Sequence, residues 1–135
     1  MSLLFDSCAV IEAVRRGVVE ILFDQYIQPL TSYEVLNAVW KEHRLLGRLS
    51  REEAERLASY LLKLLGYMRV LAVRGLEKEF FRVAVELGVT VYDASYIVLA
   101  RHYGLTLVTE DRRLARAARG VVEVASVGDV TGRRA

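Results

Sequence analysis

Residues 89–114, VTVYDASYIVLARHYGLTLVTEDRRL, decide the fold of this chain. They predict an apolar helix over residues 94–103, a tight glycine turn, a buried strand over residues 105–108 and a basic helix over residues 112–119. An apolar helix joined by a short turn to an apolar strand is typical of an α/β protein, in which helices cover a sheet. We therefore expect the first helix and the strand to be buried.

Two acidic residues stand at the ends of these apolar elements. Asp93 lies one residue before the helix, and Asp111 lies just past the strand. A carboxylate that is drawn into the protein is costly unless a partner compensates its charge. Each acid is therefore either a helix cap or a ligand of a cation, and the rest of the chain has to decide between the two.

The composition indicates a single compact domain over residues 1–135, with a loose tail over residues 131–135. Hydrophobic residues make up 53% and charged residues 27% of the chain, which excludes a disordered protein. One cysteine excludes an internal disulfide framework, and no apolar run reaches the ~20 residues of a membrane helix. The start MSLLFD has no basic segment, so we expect no signal peptide, no membrane and a cytoplasmic location. The net charge of +2 does not by itself indicate a nucleic-acid partner.

Short apolar strands alternate with helices along the whole chain. Strands are predicted over Leu3–Phe5, 26–30, 68–73, 105–108 and 121–124, and helices over 8–16, 33–46, 50–65, 76–87, 94–103 and 112–119, with a short helical pattern over 18–26. This order predicts an α/β sandwich with a mostly parallel sheet. In such folds the functional site lies at the carboxyl ends of the strands.

Four acids are predicted to lie near that edge: Asp6, Glu34, Asp93 and Asp111. Taken singly, each is better explained as a helix cap, because acids at a helix start bond free N–H groups and complement the helix dipole. Residues 31–34 and 90–93 even fit capping boxes. Taken together, the acids should converge, and two charges ~5 Å apart at an effective dielectric of ~20 repel by roughly 3 kcal/mol. Caps have no need to converge, whereas a metal site does. Oxygen ligands without nearby His or Cys favour Mg²⁺ or Mn²⁺.

Four segments carry a resemblance to a known family: FDSCAVI, SYEVLNAVW, VYDASYIVLA and LVTEDRRLARAA. In this order, they resemble the PIN-domain family and, at this length, the VapC-type toxins. The resemblance covers essentially the whole chain. It implies a three-layer α/β/α sandwich and a metal-dependent endoribonuclease, usually a homodimer, that a small antitoxin holds inactive.

The resemblance also implies roles for particular residues. Asp6, Glu34, Asp93 and Asp111 would form the acidic quartet that binds Mg²⁺ or Mn²⁺, with the Thr109 hydroxyl beside it. The antitoxin would pass a C-terminal segment across the acidic pocket. The family often has Ser or Asn two residues after the first Asp. Here that place is taken by Cys8, with the hydroxyl of Ser7 before it. We expect Cys8 to be a small buried side chain and not a nucleophile.

Other polar residues are candidates for supporting roles. Asn37 lies one turn beyond Glu34 and could hold a water molecule or satisfy the backbone. Arg112, Arg116 and Arg119 recur at helical spacing on one helix face, and Arg112 and Arg116 in particular could contact RNA phosphates or belong to a solvated face. Glu110 is expected to project away from its neighbour Asp111.

Three functions are candidates for these residues. The first is the nuclease, in which metal-activated water attacks the scissile phosphate. The second is a receiver-like phosphoacceptor, which needs a late lysine, but no lysine follows Lys78. A related phosphatase would need an Asp-x-Asp, but Asp6 is followed by Ser7 and Cys8. The third is a non-catalytic PIN-like binding module that grips a basic partner peptide.

Overall fold

The computed structural model describes residues 2–134, with side chains up to residue 132. Five parallel strands form one sheet in the order β3-β2-β1-β4-β5. The strands are β1 Leu3–Phe5, β2 Tyr26–Ile27, β3 Arg69–Val70, β4 Thr106–Val108 and β5 Val124–Ala125. The helices are α1 Ser7–Arg15, α2 Pro29–Trp40, α3 Arg51–Leu65, α4 Glu77–Leu87, α5 Val91–Tyr103, α6 Arg112–Ala118 and α7 Val127–Arg134.

The helices cover both faces of the sheet, so the expected three-layer α/β/α sandwich is confirmed. Along β1, Leu3 and Phe5 pack with one core, and Leu4 packs with the other, as the two-residue period of a strand requires. The first core also contains buried residues of α1, α2, α3 and α7, and the second contains those of α4, α5 and α6. The sheet is therefore buried on both sides, as parallel sheets usually are.

Strand order brings one pair of strand ends together at the middle of the sheet. From β1 the chain adds β2 and β3 on one side and then returns to add β4 on the other. The β1–β4 pair is therefore the point at which the strand order reverses, where α/β proteins form their binding crevices. Every strand is parallel, so the residues that follow β1 and β4 meet at the same edge.

Several predicted boundaries differ from the structure. The helix predicted over 33–46 begins at Pro29, because Gln28 caps it together with Thr31, and it ends in a π-helical turn over Lys41–Leu45. The predicted box over residues 31–34 is therefore wrong. The last strand lies at Val124–Ala125, and its predicted range of 121–124 was too early.

Residues 131–134 of the predicted loose tail belong to α7, while Ala135 lies outside the described residues. A reciprocal cap begins this helix: Ser126 N–H donates to Asp129 Oδ2 at 2.9 Å, and Asp129 N–H donates to Ser126 Oγ at 3.0 Å. Val127 and Val130 bury this helix in the first core.

Helices α4 and α5 are consecutive and together contain an apolar stretch. Within residues 2–134 no single helix is long and apolar enough to cross a membrane. The two helices meet that criterion only as a pair, and the chain bends by 113° between them.

Candidate functional site

The four predicted acids all lie on the carboxyl side of the sheet. Asp6 directly follows β1, and Asp111 follows β4 by three residues. Glu34 lies in the second turn of α2, and Asp93 lies in the first turn of α5. Because α5 leads back through Gly104 into β4, its first turn is at the edge where β4 ends.

Asp6 is the most buried of the four acids, with 4% of its surface exposed. Its Oδ1 accepts the Ala9 N–H at 2.8 Å and caps α1, while its Oδ2 accepts the hydroxyl of Thr109. Burial raises the pKa of Asp6 to about 7, although these two hydrogen bonds oppose the rise. Nearby negative charge on Glu34 and Asp111 raises it further. Capping therefore does not compensate the cost of this buried carboxylate.

Glu34 is oriented by a tyrosine from across the site. The Tyr96 hydroxyl donates to Glu34 Oε1 at 2.6 Å, and it also lies 2.8 Å from Thr31 Oγ1. Burial and the charge of Glu34 raise the pKa of Tyr96, so its hydroxyl keeps its proton and can donate. The pKa of Glu34 is raised overall. Burial raises it most, the hydrogen bond from Tyr96 opposes the rise, and the negative charge of Asp93 adds to it.

Asp93 and Asp111 lie at helix starts. Thr90 caps α5 by accepting the Asp93 N–H at 3.1 Å, so the Asp93 carboxylate is not the cap of its own helix. Burial and the charge of Asp111 raise the pKa of Asp93, while Arg113 lowers it. Asp111 does cap its helix: its Oδ1 accepts the backbone N–H groups of Arg113 at 2.9 Å and Leu114 at 3.3 Å.

The four carboxylates share a negative field, which the positive charge of Arg113 opposes at Asp93. Within the described residues, none of the ion pairs involves any of the four acids. A hard divalent cation fits this set of oxygen donors. Nevertheless, among the described residues no three Asp, Glu, His or Cys side chains come close enough to hold one ion. The four acids therefore influence one another electrostatically, but among the described residues they do not form a set of three within reach of one ion.

The predicted supporting residues differ in how they contact the acids. Thr109 is central, because its hydroxyl donates to Asp6 and accepts the Asp111 N–H at 3.0 Å, which joins the two acids. Ser7 is half-buried as the first residue of α1. Asn37 is exposed one turn after Glu34. Glu110 points away from the acids, as predicted: its Oε2 accepts the Val127 N–H at 2.8 Å.

Cys8 differs from its prediction. It is exposed, so the expectation of a buried cysteine is wrong. Desolvation of the thiol, followed by the negative charges of Asp6, Asp111 and Glu34, raises its pKa to about 11. The thiolate is the nucleophilic form, so Cys8 is a poor nucleophile beside these acids.

Arg112 and Arg116 lie on one side of the acidic centre. With Arg119 they line a groove of about 320 Å³ that also includes Thr109 and Asp111. The structure thus brings the two predicted arginines next to one member of the quartet.

Sequence reasoning missed the polar network behind Glu34. Gln28 Nε2 donates to Ser95 Oγ at 2.8 Å, and the Gln28 N–H donates to Thr31 Oγ1 at 3.2 Å. Gln28, Thr31 and Ser95 are buried. Polar residues in otherwise apolar segments were the available signal. The sequence could not show that residues more than sixty positions apart pair with one another.

Most of this chain matches a known protein family. The family model described as the PIN domain matches residues 3–120. The chain therefore belongs to the PIN-domain family, and the resemblance seen in the sequence is confirmed.

Two curated relatives come from Pyrobaculum aerophilum. The chain is 47% identical over 95 residues to "Exonuclease VapC9", a match that covers 70% of this chain and 68% of that protein. It is 40% identical over 86 residues to "Ribonuclease VapC3", a match that covers 64% of this chain and 65% of that protein.

Solved structures share the fold. The crystal structure of PAE2754 from Pyrobaculum aerophilum has a TM-score of 0.84 and 35% identity, and the match covers 98% of this chain and 94% of that one. The crystal structure of FitAcB from Neisseria gonorrhoeae has a TM-score of 0.60 and 21% identity, with 90% and 95% covered. At that identity the second likeness shows the fold alone.

Proposed function

We propose that this protein is a metal-dependent ribonuclease and the toxin of a toxin–antitoxin pair. The observation that carries the proposal is the shared negative field of Asp6, Glu34, Asp93 and Asp111 at the β1–β4 edge. Burial and mutual repulsion raise the pKa values of three of these acids, so a bound cation would relieve a cost that the fold itself creates. The names of the curated relatives, an exonuclease and a ribonuclease, support the same chemistry.

The four acids would hold Mg²⁺ or Mn²⁺. When bound, such an ion supplies positive charge for the scissile phosphate and activates a water for in-line attack. Thr109 fixes Asp6 and the backbone of Asp111 relative to each other, so both strand ends present their carboxylates together. Tyr96 holds one oxygen of Glu34 and leaves the other free for the ion or for the attacking water.

Replacement of one acid tests the catalytic role of the quartet. Asp93→Asn should reduce metal-dependent cleavage of single-stranded RNA by at least ~10²-fold, because a metal-site carboxylate supplies several kcal/mol to the transition state. Asp24→Asn is the matched control: Asp24 is exposed and has φ of 63°, a conformation that Asn tolerates. Full activity of Asp93→Asn with Mg²⁺ or Mn²⁺ would show the assignment to be wrong.

The mode of cleavage can be tested with RNA that has no ends. We propose endonucleolytic cleavage, whereas one relative is named an exonuclease. A circular RNA should be linearised by the wild-type protein and left intact by Asp93→Asn. Digestion of a linear RNA while the circular form of the same sequence survives would indicate an exonuclease.

An apolar groove beside the site suits an antitoxin segment. It has a volume of about 510 Å³ between α1, α2 and α3, and its lining includes Cys8, which lies two residues after Asp6. Leu57→Glu within this groove should reduce co-purification with the product of the adjacent reading frame, which would encode the antitoxin. Leu62→Glu is the control, because Leu62 is an exposed residue of α3 outside the groove. Equal retention by both variants would exclude this groove as the antitoxin site.

A second copy of the chain is the proposed partner of the exposed face of α4. Phe81 and Val85 are 65% and 66% exposed and lie one helical turn apart, and Tyr92 at the start of α5 is also exposed. Apolar side chains that are exposed together indicate an association surface. Phe81→Asp should convert a dimer to a monomer in light scattering, and a wild-type monomer would refute the assignment. Because the proposed substrate is cellular RNA, the protein would act in the cytoplasm.

A further inference from the structure

A groove next to the acidic centre points to a substrate-binding role beyond the reacting phosphate. We propose that the arginine groove, formed by Arg112, Arg116 and Arg119, binds the neighbouring phosphates of one RNA strand on a single side of the scissile bond. This inference rests on the proposed ribonuclease function. It names a subsite of the same centre and predicts which substrates are cleaved well.

The groove is continuous with the acidic centre. Thr109 and Asp111 belong to its lining, and Thr109 is hydrogen-bonded to Asp6. Ala115 and Ser126 are small residues, so they leave about 320 Å³ open between the arginines and β5. A strand whose scissile phosphate lies at the four acids can therefore continue into the groove without crossing a ridge of large side chains.

The arginines of the groove have no ion pair, unlike six other arginines of the described residues. Six arginines elsewhere form ion pairs with glutamates, at Arg15, Arg16, Arg48, Arg51, Arg82 and Arg101. Among the described residues, Arg112, Arg116 and Arg119 form none, and no hydrogen bond holds their guanidinium groups. Glu110, the other acid in the groove, is directed to the backbone of Val127. The three guanidinium groups are thus available to an anionic ligand.

The spacing of the arginines fits a series of phosphates. Positions four and three apart place the three residues on one face of α6, with neighbouring Cβ atoms ~5–6 Å apart. From Arg112 to Arg119 the helix rises ~10 Å, against ~3.4 Å of axis between successive phosphates of one strand in a duplex. The arginine row is therefore long enough for each of its three guanidinium groups to contact a different phosphate of one strand. Guanidinium is also the side chain best suited to bidentate phosphate binding.

Two substrates separate this role from a general effect on catalysis. One is a single-stranded RNA of twelve nucleotides, and the other is bis(p-nitrophenyl) phosphate, a phosphodiester with no neighbouring phosphate. The variant R112Q/R116Q/R119Q should lower kcat/KM on the RNA by roughly 10²-fold or more, since each lost charged hydrogen bond is worth roughly tenfold. On the small diester its kcat/KM should match the wild type.

Salt dependence gives a second readout. The plot of log kcat/KM against log salt for the RNA should become less steep by about 0.7 for each phosphate contact removed. Arg56→Gln is the matched control, because Arg56 is an exposed helical arginine whose cavity contains none of the four acids of the site. It should leave both the rate and the slope unchanged. Thermal unfolding of each variant verifies that it is folded.

The possible outcomes separate the inference from the proposed function. Unchanged RNA kinetics and salt slope in the triple variant would overturn the arginine groove while leaving the nuclease intact. An equal loss on the RNA and on the small diester would also overturn it, because the arginines would then act on the acidic centre. If the wild type cleaves neither substrate with Mg²⁺ or Mn²⁺, the proposed function fails. Fluorescence anisotropy with the same RNA then tests the groove by itself. RNA binding that is lost in the triple variant and kept in Arg56→Gln supports the groove, and equal binding by the two variants overturns it.

Discussion

Asp6→Asn should stabilise the metal-free protein at neutral and alkaline pH. Asp6 is buried, and its pKa is raised from 3.8 to about 7 in the folded protein. One pKa unit corresponds to 1.36 kcal/mol, so ionised Asp6 costs the folded state about 4 kcal/mol above pH 8. Asn removes that charge and can still accept the Ala9 N–H as the cap of α1. The bond from Thr109 is weakened by the change, which offsets about 1 kcal/mol at every pH.

The sign of the pH dependence follows from the raised pKa. Between 3.8 and about 7 the folded state binds more protons at Asp6 than the unfolded state does, so the free energy of unfolding falls as the pH rises through this window. The cost is about 1 kcal/mol at pH 4.5 and about 4 kcal/mol at pH 8.5. The stability difference between Asp6→Asn and wild type should therefore grow by about 3 kcal/mol from pH 4.5 to pH 8.5.

Urea unfolding in EDTA, followed by circular dichroism at both pH values, measures this difference. Asp24→Asn makes the same chemical change at an exposed position and controls for the loss of one negative charge. Added Mg²⁺ should raise the thermal midpoint of the wild type but not of Asp6→Asn, because a ligand that binds only the folded state stabilises it. A stability difference that stays constant between the two pH values would refute the argument that Asp6 carries an uncompensated charge.

Three further substitutions have distinct expected effects. Tyr96→Phe removes the hydrogen bond that lowers the pKa of Glu34. The acid limb of the pH–rate profile should therefore move to higher pH, with roughly tenfold lower kcat. An acid limb that does not move would argue against this role of Tyr96. Thr109→Val should destabilise the protein by ~1–3 kcal/mol in urea, because Asp6 and the Asp111 N–H lose their shared partner. Gly104→Ala should cost ~1–2 kcal/mol at unchanged activity, since φ is 68° and no atom lies within 4 Å of the added methyl group, so the cost is conformational.

The fold was predictable from local patterns, apart from its shortest elements. The helix at Arg51–Leu65 with its Ser50 cap was predicted to within a residue, since its apolar stripe and its capping box agree. By contrast, β5 was predicted three residues too early and α7 was missed, because the support of both elements is tertiary. β5 has only two residues, which pair with β4, and α7 is held by Val127 and Val130 against the first core. The pair Ser126 and Asp129 was a readable cap that could have indicated α7.

The candidate site was predictable to the level of which acids share an edge. A parallel sheet brings the residues after β1 and β4 together, so Asp6 and Asp111 needed only the strand pattern. The network of Tyr96 with Glu34 and Thr31 was not predictable, because nothing local links an aromatic residue of α5 to the start of α2. The expected close approach of all four acids was too simple, since among the described residues no three of them come close enough together to hold one ion.

The capping and metal-binding interpretations of these acids turn out to be compatible. Asp6 caps α1 with one carboxylate oxygen, and Asp111 caps α6 in the same way. A cap by itself would favour the ionised form, since hydrogen bonds from N–H groups stabilise the carboxylate. Asp6 shows the opposite balance: burial outweighs its two hydrogen bonds and raises its pKa to about 7. Capping therefore explains how the side chain is oriented but leaves its charge uncompensated, and a bound cation is the partner that would complete the balance.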